Sequence, residues 1–288
     1  MKHFVLFLLI AGFVIGSLRS EEVAGTVAHS DKLSVDEIVS KHLDSIGAAN
    51  ARAAVRSRII GGVSQVTFRS RGIAQADGSA VLASEGTKSM VTMKFESSQY
   101  PYEKIGFDGD KVTAYQLNPG DFSSLGGFAR ANPEMFKEGL VGGTLSSAWP
   151  LLDLSTRKVK LEYAGTKKVN SRPMLEVRYL PRSGSDLKIS LFFDADKFQH
   201  VRTVYQKIIP AQMGRTVDQS ARMSETRYEL VEEFSDFRTE GQITLPHTYK
   251  IHLEQVGASA QISDWVMTLV KFFFNRQIDT KDFDVSNE

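Results

Sequence analysis

The sequence predicts a mainly β fold with flanking helices: an antiparallel sheet of about ten strands, preceded by an N-terminal helix and interrupted by a helical insertion. Three observations predict it. From Ile59 onward apolar and polar residues alternate with the period of two that marks half-buried strands. Short turn signals separate the runs, at Asp77-Gly78, Asp108-Gly109, Ser183-Gly184, Asp194 to Lys197 and Glu240-Gly241, as in an antiparallel meander. One long stretch, Pro119 to Leu154, breaks the alternation with glycines and clustered large apolar residues.

Met1 to Ser20 reads as an export signal. Lys2 and His3 give a polar start, and the roughly thirteen apolar residues from Phe4 to Gly16 fall short of the ~20 needed to span a bilayer. Ser17, Ser20 and Gly25 are candidate cleavage positions, and a retained membrane anchor is the alternative. The expected organisation is a signal peptide over 1–20, a flexible leader over 21–32, and a single domain over 33–288 carrying a lid insertion at 119–154. Such a chain works in the periplasm or is secreted, with no integral membrane span once cleaved.

The helix begins at Ser34, with Glu37 completing a capping box. Ile38, Val39, His42, Leu43 and Ile46 form its apolar stripe, and Gly47 stands where it should stop. A short helical piece follows over Ala48 to Val55.

Among the strands, Val91, Met93 and Phe95 alternate with Thr92 and Lys94. Val159, Leu161 and Tyr163 alternate with Lys158, Lys160 and Glu162, and Leu187, Ile189, Leu191 and Phe193 with Lys188 and Ser190. The longest run takes Ile243, Leu245, His247, Tyr249, Ile251 and Leu253 on one face, well beyond the usual five or six residues of a strand. Ser263 to Asn275 fits a strand apolar on both faces or a helix begun at Ser263-Asp264. The lack of a polar stripe at helical spacing favours the strand.

Within the insertion, Asn132-Pro133 with Glu134 reads as a helix start, and Leu140 to Trp149 as a second helix stopped by Pro150. A long apolar insertion of this kind is either a functional lid or a plug for an open end of the sheet.

Composition narrows the function. Thirty-five Lys and Arg balance 34 Asp and Glu, so no long-range field favours nucleic acid or an acidic membrane face. The absence of cysteine excludes disulfides, thiol catalysis and Cys-ligated zinc.

Four segments in order carry a family resemblance: the helix end HLDSIG, the loop GFDGDKVTAY, the late strand GQITLPHTYKI, and the finish FNRQIDTKDFDV. Together they resemble the outer-membrane lipoprotein carrier superfamily and its uncharacterised bacterial relatives, over roughly Leu33 to Val285. The resemblance implies a strongly curved antiparallel sheet, a half or unclosed barrel, with helices filling its concave face. It also implies an apolar hollow in which acyl chains or lipidated proteins are held across the periplasm.

Catalytic motifs are sparse. His247 and His252 fall on opposite faces of one strand, and His29, His42 and His200 are far apart in sequence, so no metal site is expected. Asp194-Ala195-Asp196 and Asp108-Gly109-Asp110 read as turns; neither has the glycine and closing glutamate of a calcium loop. No Gly-x-Ser-x-Gly occurs, and Gly61-Gly62 and Gly142-Gly143 lack the features of phosphate loops. Glu232 and Glu233 alternate across a strand and so do not share a proton. Arg56, Arg58, Arg69 and Arg71 read as a solvated strand face or as a rim that holds an anionic headgroup.

What remains is apolar capture. Met90, Val91, Met93, Phe95 and Tyr249 are expected to line the hollow, with Phe122, Phe128, Phe136, Leu140 and Trp149 closing over it. Met90, Met93, Met135 and Met174 can repack around variable shapes. The expected function is non-catalytic binding of a lipid, lipidated protein or similar ligand, without cofactor or nucleic acid. The alternatives are a ligand-free assembly module docking an envelope protein partner on the same fold, and a hydrolase or metalloenzyme.

Overall fold

The computed structural model describes residues 33–70, 72–157, 159–182, 184–211, 224–257 and 260–287. The signal peptide and leader expected over 1–32, His29 among them, lie outside the described residues, as do Arg71, Lys158 and Ser183.

The N-terminal helix α1 spans Val35–Ile46 and forms as its sequence requires. Ser34 Oγ accepts the Glu37 N–H at 3.2 Å while the Glu37 carboxylate accepts the Ser34 N–H at 2.9 Å, the reciprocal capping box. Ile38, Val39, His42 and Ile46 are its buried stripe. A short helix α2 follows, Ala49–Ala54.

The strands are β1 Ser57–Arg69, β2 Ile73–Glu85, β3 Lys88–Phe95, β4 Tyr102–Phe107 and β5 Val112–Ala114, then after the insertion β8 Lys160–Val169, β9 Arg172–Leu180, β10 Lys188–Asp194, β11 His200–Ile209, β12 Thr226–Glu240, β13 Ile243–Val256 and β14 Ala260–Phe274. The insertion itself holds the small hairpin β6 Gln116–Asn118 and β7 Asp121–Phe122, and helices α3 Ser124–Ala131, α4 Glu134–Lys137 and α5 Leu154–Arg157. Twelve strands make one antiparallel sheet in the order β5-β4-β3-β2-β1-β14-β13-β12-β11-β10-β9-β8. The sheet is unclosed: β5 and β8 are its two edges, and β1 pairs with β14 in its middle.

About ten strands were expected, and fourteen form among the described residues. Three of the additional ones are β5, β6 and β7, two or three residues each, too short for a period of two to show. Ser263 to Phe274 is strand, as the missing polar stripe indicated.

Three local expectations are corrected. Asp77-Gly78 is not a turn but the middle of β2. Gly78 pairs with Phe95 there, and a Cβ on it would overlap the Lys94 carbonyl, so the glycine permits close approach of backbone. The second helix expected over Leu140 to Trp149 does not form. Gly142 and Gly143 take φ of +78° and +50°, left-handed values that end any helix, and the segment runs as turns with single 3-10 turns at Gly143–Leu145 and Pro150–Asp153. Conversely α3 is a helix that its Gly126-Gly127 pair disguised; Ser123 caps it by accepting the Gly126 N–H at 2.8 Å.

Alternation sorts the sheet into two faces. Ile60, Val66, Val91, Met93, Ile105, Val177, Leu191, Tyr205, Leu230, Tyr249 and Trp265 point inward and are buried with α1 and the insertion in one core. On the outer face of β2 to β4 the C-terminal residues lie across the strands, where Ile278 and Phe283 pack with Ala83 and Met90.

Candidate functional site: the inner face beneath the insertion

The insertion fills the inner face. Leu125, Phe128 and Ala129 of α3, Met135 and Phe136 of α4, and Leu140, Val141, Leu145 and Trp149 of the turns are all buried. Beneath it a cavity of about 20 Å³ stays empty, lined by Val91, Met93, Ile105, Met135, Phe136, Leu230 and Tyr249 together with two carboxyls, Glu103 and Glu232. That volume admits about one water molecule.

Four of the residues expected from the sequence therefore meet at one space: Val91, Met93, Phe136 and Tyr249. The others are placed around it. Phe95 points to the same face and stacks on Tyr100 with ring centroids 5.4 Å apart. Phe128 lies against Tyr228 at 5.6 Å, and Leu140 is fully buried. Trp149 stacks on His200 at 4.4 Å. Phe122 sits at the periphery with the Arg130 guanidinium 3.9 Å over its ring. Met90 is on the outer face beside Ile278 and Phe283, because it is one residue out of phase with Val91 and Met93. It does not border that cavity, but with Val91, Val141 and Leu145 it lines a smaller one of about 10 Å³.

The two carboxyls were missed. Glu232 is 1% exposed and accepts the Gly142 N–H at 2.8 Å and the Tyr205 hydroxyl at 2.7 Å, with the Tyr249 hydroxyl as a third donor. Its sequence neighbour Glu233 faces outward to Arg202 at 2.7 Å, so the two do split across the strand as expected. Glu103 accepts from the Tyr100 hydroxyl, which in turn accepts the Trp265 Nε1–H at 3.1 Å. Burial pushes Glu103 up to about 7 and Glu232 upward, against the pull of their hydrogen bonds, and pushes the three phenols up as well. The signal was available: Glu103 alternates in phase with Ile105 and Phe107, and Glu232 with Leu230 and Phe234.

The arginines do not form one solvated face. Arg69 pairs with Asp264 on the outer face, whereas Arg58 is 1% exposed and donates to the carbonyls of Thr144 and Ser146, pinning the insertion to β1. Burial lowers the Arg58 guanidinium to about 10.

The described histidines divide between the core and the outer face. His42 Nδ1 is 3.0 Å from the Phe198 carbonyl, to which it donates, since its Nε2 accepts the Trp149 indole N–H at 3.0 Å. Burial lowers its pKa to about 4, and holds that of buried His200 well below its ordinary value. His247 is buried against Phe272 while His252 pairs with Asp264 outside, the opposite faces their spacing implied. Among the described residues no group of three His, Cys, Asp or Glu side chains could hold a metal ion. Asp108 and Asp194 each accept two following backbone N–H groups, the turns expected of them. Among the described residues no helix is long and apolar enough to cross a membrane.

No protein-family model and no curated protein matches the chain. Among solved structures it is similar to a LolA superfamily protein from Nitrosomonas europaea, at 13% identity over 87% of this chain and 97% of the other, with a TM-score of 0.47. It is also similar to a DUF1329 family protein from Desulfovibrio piger, at 8% identity over 87% and 97%, TM-score 0.39. A third is the lipoprotein LppX from Mycobacterium tuberculosis, at 11% identity over 86% and 100%, TM-score 0.24. The resemblance read from the sequence is to the superfamily of the first of these.

Proposed function

We propose that this chain is a non-catalytic protein of the cell envelope that binds an apolar ligand, such as a lipid or a lipidated protein, on the inner face of its unclosed sheet. In this reading the insertion is a lid that occupies the ligand's place in the closed form. The observation that carries it is the composition of the inner face: a wide apolar surface covered by turns and short helices rather than by a second sheet, with a residual cavity walled by Met93, Met135 and Phe136. Each buried Leu, Met or Phe contributes about 1.5–3 kcal/mol. Lifting the lid is therefore costly in water and close to neutral when an apolar ligand replaces the surface it leaves.

Two ionisable groups of the interior, His42 and Glu232, have partners suited to structure. The His42 nitrogens are both engaged and the Glu232 carboxylate receives three donors, so neither is poised to move a proton to a substrate. The periplasmic or secreted location follows from the reading of residues 1–20.

A second reading, a ligand-free assembly module, is favoured by how little of the interior is empty. Native mass spectrometry of protein purified from its own envelope separates the two. The expected result is a bound mass that organic extraction removes and added lipid restores. A protein that carries none and takes up none supports the assembly module instead.

A further inference from the structure

Along one side of α3 the inner face opens into a hollow of about 270 Å³, bordered by Ser124, Phe128, Asn132, Lys207, Tyr228 and Gln255. This is just below the roughly 300–1,000 Å³ usual for small-ligand sites. Strand register explains its make-up. Lys207, Tyr228 and Gln255 are cross-strand neighbours on β11, β12 and β13 and share the inner face. Two residues further along each strand the neighbours are Tyr205, Leu230 and Leu253, all 2% exposed or less. One step inward thus passes from a polar rim to the apolar core.

The helix repeats the gradient. Ser124 and Phe128 border the hollow, while Leu125 and Ala129 border the enclosed cavity, which Leu230 also lines. The hollow and the cavity therefore lie along the same helix and strand. Phe128 and Tyr228, their rings 5.6 Å apart and tilted by 36°, wall the hollow on the helix and strand whose next inward residues, Leu125, Ala129 and Leu230, wall the cavity.

Among the described residues the rim carries one charge. Lys207 Nζ donates to Asn132 Oδ1 at 2.9 Å, a neutral acceptor, and among the described residues it pairs with no carboxylate. Its neighbours in the hollow, Ser123, Ser124 and Gln255, are neutral. Ile209 completes the wall and is 42% exposed, with Ile208 and Val256 exposed at the same strand ends. A half-buried ammonium with a neutral partner, at the mouth of an apolar passage, complements an anion joined to an apolar chain.

We propose that the ligand is an amphiphile with an acidic headgroup, seated at Lys207, whose acyl chain runs past Phe128 and Tyr228 toward the cavity at Met93 and Tyr249. This rests on the capture reading above and adds the ligand's charge, the entrance and the direction of entry. Phe128 turning aside joins the two spaces, and Lys207 exchanges the Asn132 amide for the headgroup.

The test is displacement of the neutral fluorophore N-phenyl-1-naphthylamine from the purified full-length protein by dodecanoate, dodecanol or dodecyltrimethylammonium, in wild type, Lys207→Gln and Lys207→Arg. Dodecanoate is expected to displace the probe at about tenfold lower concentration than dodecanol, the scale of one charge-assisted hydrogen bond. Lys207→Gln should erase that difference and Lys207→Arg keep it, with circular dichroism unchanged in both. Equal potency of dodecanoate and dodecanol in wild type, or a preference that survives Lys207→Gln, overturns the headgroup assignment while capture stands. A probe that never binds, with no amphiphile bound by calorimetry, overturns capture itself.

Discussion

At the scale of residues, the interior holds ionisable groups whose charged forms oppose burial, which shifts an acid and a base in opposite directions. His42 is buried neutral, its pKa lowered to about 4 by loss of water. The unfolded chain binds the proton more readily, so His42 destabilises the fold as pH falls from its ordinary 6.5 toward 4. Glu103 has the opposite sign. Its pKa rises to about 7, again through burial, so the stability it lends is fully present below its ordinary 4.5 and is lost as pH rises through 7. Between those limits the two slopes offset each other. Replacing Glu103 by Gln keeps the acceptor for Tyr100 and removes the titration. The Glu103→Gln variant should be more stable than wild type by about 3 kcal/mol at pH 8, each pKa unit being about 1.36 kcal/mol, and by nothing measurable at pH 4.5. Urea midpoints at the two pH values check it, and an equal effect at both would mean that burial of the carboxylate is not the cause.

At the scale of elements, the insertion owes its path to two consecutive left-handed residues. Gly142 and Gly143 have φ of +78° and +50°, but their surroundings differ. Nothing lies within 4 Å of a Cβ built on Gly142, whereas one on Gly143 would be 2.8 Å from His200 Nδ1 and 3.0 Å from the Phe234 ring. Gly142→Ala should therefore cost about 1–2 kcal/mol, the backbone penalty alone. Gly143→Ala should cost about 1–3 kcal/mol more, because His200 and Phe234 sit in a packed core that cannot retreat. Denaturant midpoints of the two variants measure the gap, and equal losses would show that the Trp149–His200–Phe234 cluster yields. The contrast also marks what the sequence made legible. The strands were readable because one face is buried and one is not, so Val91, Met93 and Tyr249 announced themselves by period. The same rule would have revealed Glu103 and Glu232, yet charge obscured them. The path of Leu140 to Trp149 was not readable, since its apolar residues pack against a distant sheet and its glycines, not its propensity, decide the turns. Asp77-Gly78 failed for a similar reason: only the partner strand shows that Gly78 makes room for Lys94.

At the scale of the whole molecule, the insertion leaves the chain after β5 and returns it at β8, and these are the two edges of the unclosed sheet. It is a strap joined to both rims of an open barrel, which is why it can cover the inner face without a second sheet. Its polar fastenings include Arg58 to the carbonyls of Thr144 and Ser146, Glu232 to the Gly142 N–H, Glu138 to the Tyr179 hydroxyl, Ser84 Oγ to the Ser147 N–H, His42 to the Trp149 indole and Lys207 to Asn132. A typical hydrogen bond contributes about 0.5–1.5 kcal/mol net, so the strap is held shut mainly by the apolar surface beneath it. Under the lid reading proposed above, more moves than Phe128 turning aside: the strap also separates from β2 and β3 when a ligand enters. The contact between Ser84 and Ser147, 2.9 Å from hydroxyl to amide, is a place to stop it. With no native cysteine, the Ser84→Cys, Ser147→Cys double variant carries only the two introduced thiols. Linked by a disulfide or a short thiol crosslinker, it should lose uptake of N-phenyl-1-naphthylamine, and freeing the thiols of the disulfide-linked form should restore it. Each single variant should bind as wild type does. Uptake that persists in the linked protein would mean that ligands enter without movement of the strap along β2, leaving the Phe128 and Tyr228 side chains as the part that has to move.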